Sequence, residues 1–126
     1  MEDYGKKAAE NFRNGYNCAQ SVLLTFAKVV GLQDEDALKL ASSFGGGMGR
    51  LREVCGAVSA MFMVAGFLRG YTTPNNDTIK AQHYEFIQNL AKKFKEKHGT
   101  IICRELLELE DETTSPIPSK RTEEYY

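Results

Sequence analysis

No stretch of these 126 residues is both apolar enough and long enough to cross a bilayer. The most apolar run, residues 54–68, is shorter than the about 20 residues a membrane helix needs and is flanked by Arg52 and Arg69. It reads as a buried core helix, and no membrane insertion is expected. The opening residues, Met1-Glu2-Asp3-Tyr4-Gly5-Lys6-Lys7, carry no apolar segment of the secretory kind, so the expected compartment is the cytoplasm. An excess of one charge is missing too. A net charge of −1 and a pI near 6.1 give no electrostatic case for nucleic acid or an anionic membrane as partner. Tryptophan is absent, which excludes nothing. Cysteine is scarce: there are three, an odd number, so at least one thiol has no intrachain partner. In a reducing compartment they are not expected to form a structural disulfide framework.

Familiar catalytic patterns are absent as well. Residues 45–49 hold four glycines, yet Arg50 stands where a dinucleotide fingerprint would need glycine, and no lysine-serine pair follows as in a phosphate-binding loop. Neither C-x-x-C nor H-E-x-x-H occurs. A helix-helix turn is the simpler account of the glycines, with an anion site at the following helix start as the alternative.

What remains is helical. Tyr4, Ala8 and Phe12 recur every fourth residue behind Asp3, an N-cap, and Asn14-Gly15 supplies a stop. Asn17 caps a second helix over residues 18–30, and Asp34 opens a short third one. A fourth, residues 53–69, is apolar nearly all round, as expected of the central helix of a bundle. Asn76 or Asp77 begins a fifth, with Ile79, His83, Phe86, Ile87, Leu90 and Phe94 as its inner stripe and His98-Gly99 as its end. A short helix over residues 102–109 follows. The expected architecture is all-α: a compact helical bundle of about five main helices plus a short C-terminal helix, forming one domain over 1–109. Residues 110–126, acidic and then rich in Ser, Thr and Pro, read as an extended or disordered tail.

On this reading Cys18, Cys55 and Cys103 all fall in or near the first turn of a helix. Thiols at helix starts can titrate well below the free value of about 8.5, and Arg50, Arg52 and Arg104 are near enough in sequence to add to that effect. The helix starts of an up-down bundle cluster at its ends, so the three thiols can converge. The plain alternative is that all three are packing residues, since free cysteine is among the most buried residue types. His83 reads as a core histidine before it reads as a metal ligand.

Four segments carry a family likeness: Asn17-Cys18-Ala19-Gln20-Ser21, the Gly45-Gly46-Gly47-Met48-Gly49 run, Cys55-Gly56-Ala57, and Cys103-Arg104-Glu105-Leu106-Leu107. In this order and spacing they resemble the C_GCAxxG_C_C family, small bacterial and archaeal proteins described as redox-active, with four cysteines and a Cys-Gly-Ala-x-x-Gly motif. By position Cys18, Cys55 and Cys103 match the first three cysteines. Ala60 stands at the motif's second glycine, and the fourth cysteine, which follows a segment like residues 121–126, has no counterpart.

The resemblance implies thiol-redox chemistry, a thiol-disulfide oxidoreductase in the enzymatic case. Cys55 is its central thiol, Cys18 or Cys103 its resolving partner, and Gly45, Gly46, Gly47, Gly49, Gly56, Asn17 and Arg50 its supports. The partner would be a redox protein or a small thiol, and a homo-oligomer stays open. Two alternatives remain. One is a metal or iron-sulfur site on the same cysteines with His83 as a candidate fourth ligand, and the other a helical interaction module without catalysis.

Overall fold

The computed structural model describes residues 3–107. The described residues are about 70% helical, and no strand or sheet is present among them. Six helices follow one another: α1 Tyr4–Arg13, α2 Cys18–Thr25, α3 Asp34–Ala41, α4 Gly56–Arg69, α5 Asp77–His98 and α6 Cys103–Leu106. A 3-10 turn, Ser42–Phe44, and the glycine run join α3 to the segment before α4. The expected tail, residues 110–126, lies outside the described residues.

The caps are those the sequence announces. Asp3 accepts from the Lys6 amide at 3.0 Å, and Asn76 accepts from the Ile79 amide at 3.1 Å. Asn17 and Gln20 form a reciprocal capping box at the start of α2. Two boundaries differ from the periodicity. Regular helix in α2 ends at Thr25, where Phe26 and Ala27 shift to tighter bonds onto Leu23 and Leu24, so residues 26–31 are a series of turns. Helix α4 starts at Gly56, not at Glu53, because residues 53–55 pair with another segment.

Helices α2 and α4 make the central contact, with α1 and α3 packed on α2. The core is built mainly of alanines (Ala19, Ala27, Ala37, Ala41, Ala60), with Leu23, Val30 and Val64 among them. Side chains this small let helix backbones approach closely. They also bury little apolar area each, so shape fit at the crossing carries much of the packing. Helix α1 rides on this core through a Tyr4–Phe26 stack, centroids 4.8 Å apart, and through Asn11, whose Nδ2 donates to Ser21 O and Thr25 Oγ1.

The stripe expected to be inner on helix α5 is not buried. None of the helix's 22 residues is buried. Its apolar stripe is half-covered at best, and Ile79 is exposed. The helix is held near its start by Tyr71, which bonds Tyr84 through the hydroxyls and meets the His83 ring edge-on at 5.8 Å, and by Arg69 over Phe86. Beyond its end the chain returns to the core through residues 100–103.

Candidate functional site

The geometry of the site starts with the glycine run. Gly46, Gly47, Met48, Gly49 and Arg50 all have φ between 64° and 75°, five consecutive residues in the left-handed region, and Arg52 follows at 63°. The Gly49 and Arg50 amides both return to Gly45 O, Arg52 N reaches Gly46 O, and Glu53 N reaches Gly47 O. This is a single left-handed helical turn. For L-residues that hand costs about 1–2 kcal/mol each, and Met48, Arg50 and Arg52 bear that cost where glycine would not. Strain of this kind persists only where the surroundings enforce it, and it gathers at functional sites.

What enforces the turn is close packing on three sides. A Cβ on Gly47 would lie 2.6 Å from Cys103 Cβ and 2.9 Å from Arg52 Cα, so only glycine fits there. Gly45 lies against the Asn17 side chain, whose Nδ2 also donates to Ser42 O at 3.2 Å. Gly56 faces Phe44 O and Ala19 N, at 2.8 Å and 3.0 Å from its hypothetical Cβ. The run therefore sits between the starts of α2, α4 and α6, which are the positions of the three cysteines. Cys18 is the first residue of α2, Cys55 the N-cap of α4, and Cys103 the first residue of α6.

Cys55 and Cys103 are tied together by a short antiparallel contact. Val54 and Ile102 form a single bridge, with Cys55 N donating to Ile101 O at 2.7 Å and Cys103 N to Glu53 O at 2.5 Å. In that register Cys55 and Cys103 lie on the same side of the ribbon as diagonal neighbours, which an ideal ribbon sets about 7–8 Å apart. Arg104 clamps the ribbon. Its amide and Nε both donate to Arg52 O, a second guanidinium nitrogen reaches Leu51 O at 3.2 Å, and an ion pair to Glu53 spans 3.6 Å. On the other side the Gly56–Ala19 approach packs the start of α4 on the start of α2.

None of the three cysteines is in a disulfide. Cys18 and Cys55 are half-buried, whereas Cys103 is 8% exposed. Arg52, itself only 6% exposed, donates from a guanidinium nitrogen to Cys103 Sγ at 3.7 Å. That pairing is not visible in the sequence, where Arg52 is near Cys55. Arg50 instead packs its stem against Gly46. One helical turn above Cys55, Ser59 is buried with an Oγ that has no hydrogen-bond partner. The spacing of four sets it on the Cys55 side of α4, and helical side chains lean toward the N-terminus.

His83 is not part of this end. It lies about four turns before the end of α5, between Tyr71 and Phe86. Among the described residues no group of three or more His, Cys, Asp or Glu side chains is placed to hold a metal ion. No described helix is long and apolar enough to cross a membrane.

An all-α scaffold that bends its backbone left-handed to seat cysteines at three helix starts defines a class of small thiol-bearing protein. Residues 16–125 match the model of the C_GCAxxG_C_C family, whose description reads "Putative redox-active protein", and the chain belongs to that family. No curated protein and no solved structure matches the chain.

Proposed function

We propose that the chain is a thiol-disulfide redox protein of the cytoplasm in which Cys55 attacks and Cys103 resolves. The observation that carries this is the Val54–Ile102 bridge, whose register makes the two cysteines diagonal neighbours; an ideal ribbon sets such neighbours about 7–8 Å apart, just beyond the about 4.4–6.8 Å a disulfide spans, so closure needs a small shift of this two-residue contact. Exposure divides the roles: half-buried Cys55 is open to a substrate, while Cys103 waits behind Gly47.

In the reducing direction the Cys55 thiolate attacks one sulfur of a substrate disulfide and expels the other as a thiolate. The mixed disulfide places substrate sulfur on Cys55. Cys103, deprotonated, then attacks Cys55 Sγ and releases the second substrate thiolate. Two electrons pass to the substrate, and a Cys55–Cys103 disulfide remains until an external dithiol reduces it. The Arg52 guanidinium is the cationic donor facing the Cys103 sulfur during that second attack. Cys18 stands by as a third thiol beside Cys55.

The test is a trapping experiment with a small aromatic disulfide as substrate. Cys103→Ser is expected to accumulate a stable mixed disulfide on Cys55, whereas the wild type releases both thiols in one turnover. Equal turnover by wild type and Cys103→Ser, with Cys18→Ser inactive, would reassign the resolving role to Cys18. No thiol release by any form would sink the redox reading.

A further inference from the structure

Closing a Cys55–Cys103 disulfide requires movement, and the contacts on each side show which residue moves. An ideal ribbon in this register sets the two cysteines just beyond disulfide reach, so one of them must shift. Cys55 is the fixed one. Its carbonyl accepts from Ser59 N at 3.0 Å, and the neighbouring Gly56 has Phe44 O and Ala19 N at 2.8 Å and 3.0 Å from a would-be Cβ. Cys103 opens a helix of only four residues, so it is the one that moves. Its side chain is also a wall of the left-handed turn. Cys103 N donates to Glu53 O, Glu53 N donates to Gly47 O, and Gly47 packs against Cys103 Cβ. These three contacts close a ring that returns to Cys103. Within the turn Met48, Arg50 and Arg52 hold φ of 67°, 65° and 63°, a hand that each L-residue resists.

We infer that, given the redox pair proposed for Cys55 and Cys103, this ring makes the turn redox-sensitive: it is held left-handed in the dithiol form and relaxes when the disulfide closes. In closure two S–H bonds are lost and one S–S bond forms. Both hydrogens and two electrons pass to the oxidant, a substrate disulfide that leaves as two thiols. Cys103 withdraws from Gly47 and from the Arg52 guanidinium, which in the dithiol form stands 3.7 Å from its sulfur. With that wall gone, the strain at Met48, Arg50 and Arg52 drives residues 46–53 toward ordinary backbone conformations. The change is presented outward, because Met48 and Leu51 are 37% and 55% exposed.

Hydrogen exchange read by mass spectrometry tests this on the full chain, in excess reductant and after one equivalent of diamide. Peptide mapping of the same oxidised sample first establishes the Cys55–Cys103 link. The amides of Gly49, Arg50, Arg52 and Glu53 all bond back into the turn. In the linked form they are expected to exchange at least tenfold faster, with α2 unchanged. Cys103→Ser given the same diamide should keep the slow exchange. Met48→Gly relieves part of the strain without touching a thiol. Against a glutathione couple its dithiol form is expected to gain about threefold over wild type, one left-handed residue's cost less glycine's added chain freedom. A linked protein whose turn exchanges as slowly as the dithiol form overturns the switch and leaves the redox reading standing. Oxidised protein without that link overturns both. An unmoved equilibrium in Met48→Gly overturns the part assigned to strain.

Discussion

The two ends of helix α4 teach opposite lessons. At its start the backbone is crowded: Gly56 touches Phe44 and Ala19, Gly47 is wedged against Cys103, and three non-glycine residues are held left-handed. Toward its end, Gly66 has nothing within 4 Å of where a Cβ would be, and Phe67 and Leu68 face outward. One end is over-determined around the helix starts that carry the cysteines. The other is under-covered and regular. Selection for a site explains the first, because strain without compensation would be lost at little cost. An unfinished packing surface explains the second.

Substituting glycines breaks or sharpens this contrast most directly. Gly47→Ala is expected to destabilise by about 3 kcal/mol or more, since it adds a Cβ at φ +75° directly onto Cys103 and the Arg52 backbone. Urea unfolding measures it, and a change below about 1 kcal/mol would deny that the turn is packed as described. Gly56→Ala meets backbone atoms on both sides and should cost about 2–3 kcal/mol by the same assay. Gly66→Ala, ten residues further along the same helix, should instead stabilise by about 0.5–1 kcal/mol, because alanine loses less chain entropy in a helix and meets nothing. Opposite signs for one substitution at two ends of one helix are the signature of the contrast.

The charge beside Cys103 gives a functional counterpart. Arg52→Met is expected to slow closure of the Cys55–Cys103 disulfide about tenfold, the scale of one charge-assisted hydrogen bond, and Arg52→Lys to recover part of the rate. Stopped thiol release after mixing with a disulfide reads it, and an unchanged rate would remove Arg52 from the site. A gain of the same order as at Gly66 is expected at Ser59→Ala, which removes a buried hydroxyl without a partner and should raise stability by about 1 kcal/mol. A loss of stability there would mean that the hydroxyl is satisfied by a bound water or ligand.

Much of the fold was legible because it is written in local chemistry. Asp3, Asn17 and Asn76 sit where caps belong, and the all-round apolar pattern of residues 54–68 marks the central helix. The family likeness likewise rests on short motifs in order. The ribbon between residues 53–55 and 101–103 was not legible, since three residues are too few to show a period of two and the partners lie some fifty positions apart in sequence. Nor was the hand of the glycine turn: Met48, Arg50 and Arg52 do not announce positive φ, and only the packing around them imposes it. The stripe expected to be inner on α5 is not buried, because periodicity reports which face is apolar, not whether anything covers it.

The central claim, that the left-handed turn and the Val54–Ile102 bridge set Cys55 beside Cys103 as a reactive pair, is tested most directly by mapping disulfides in protein oxidised with one equivalent of diamide under denaturant-free conditions. The account predicts a peptide pair linked through Cys55 and Cys103, two hydrogens lighter than the free thiols and lost on reduction. Oxidised protein in which Cys103 remains a free thiol while Cys18 and Cys55 are linked, or in which no intrachain link forms, would contradict it.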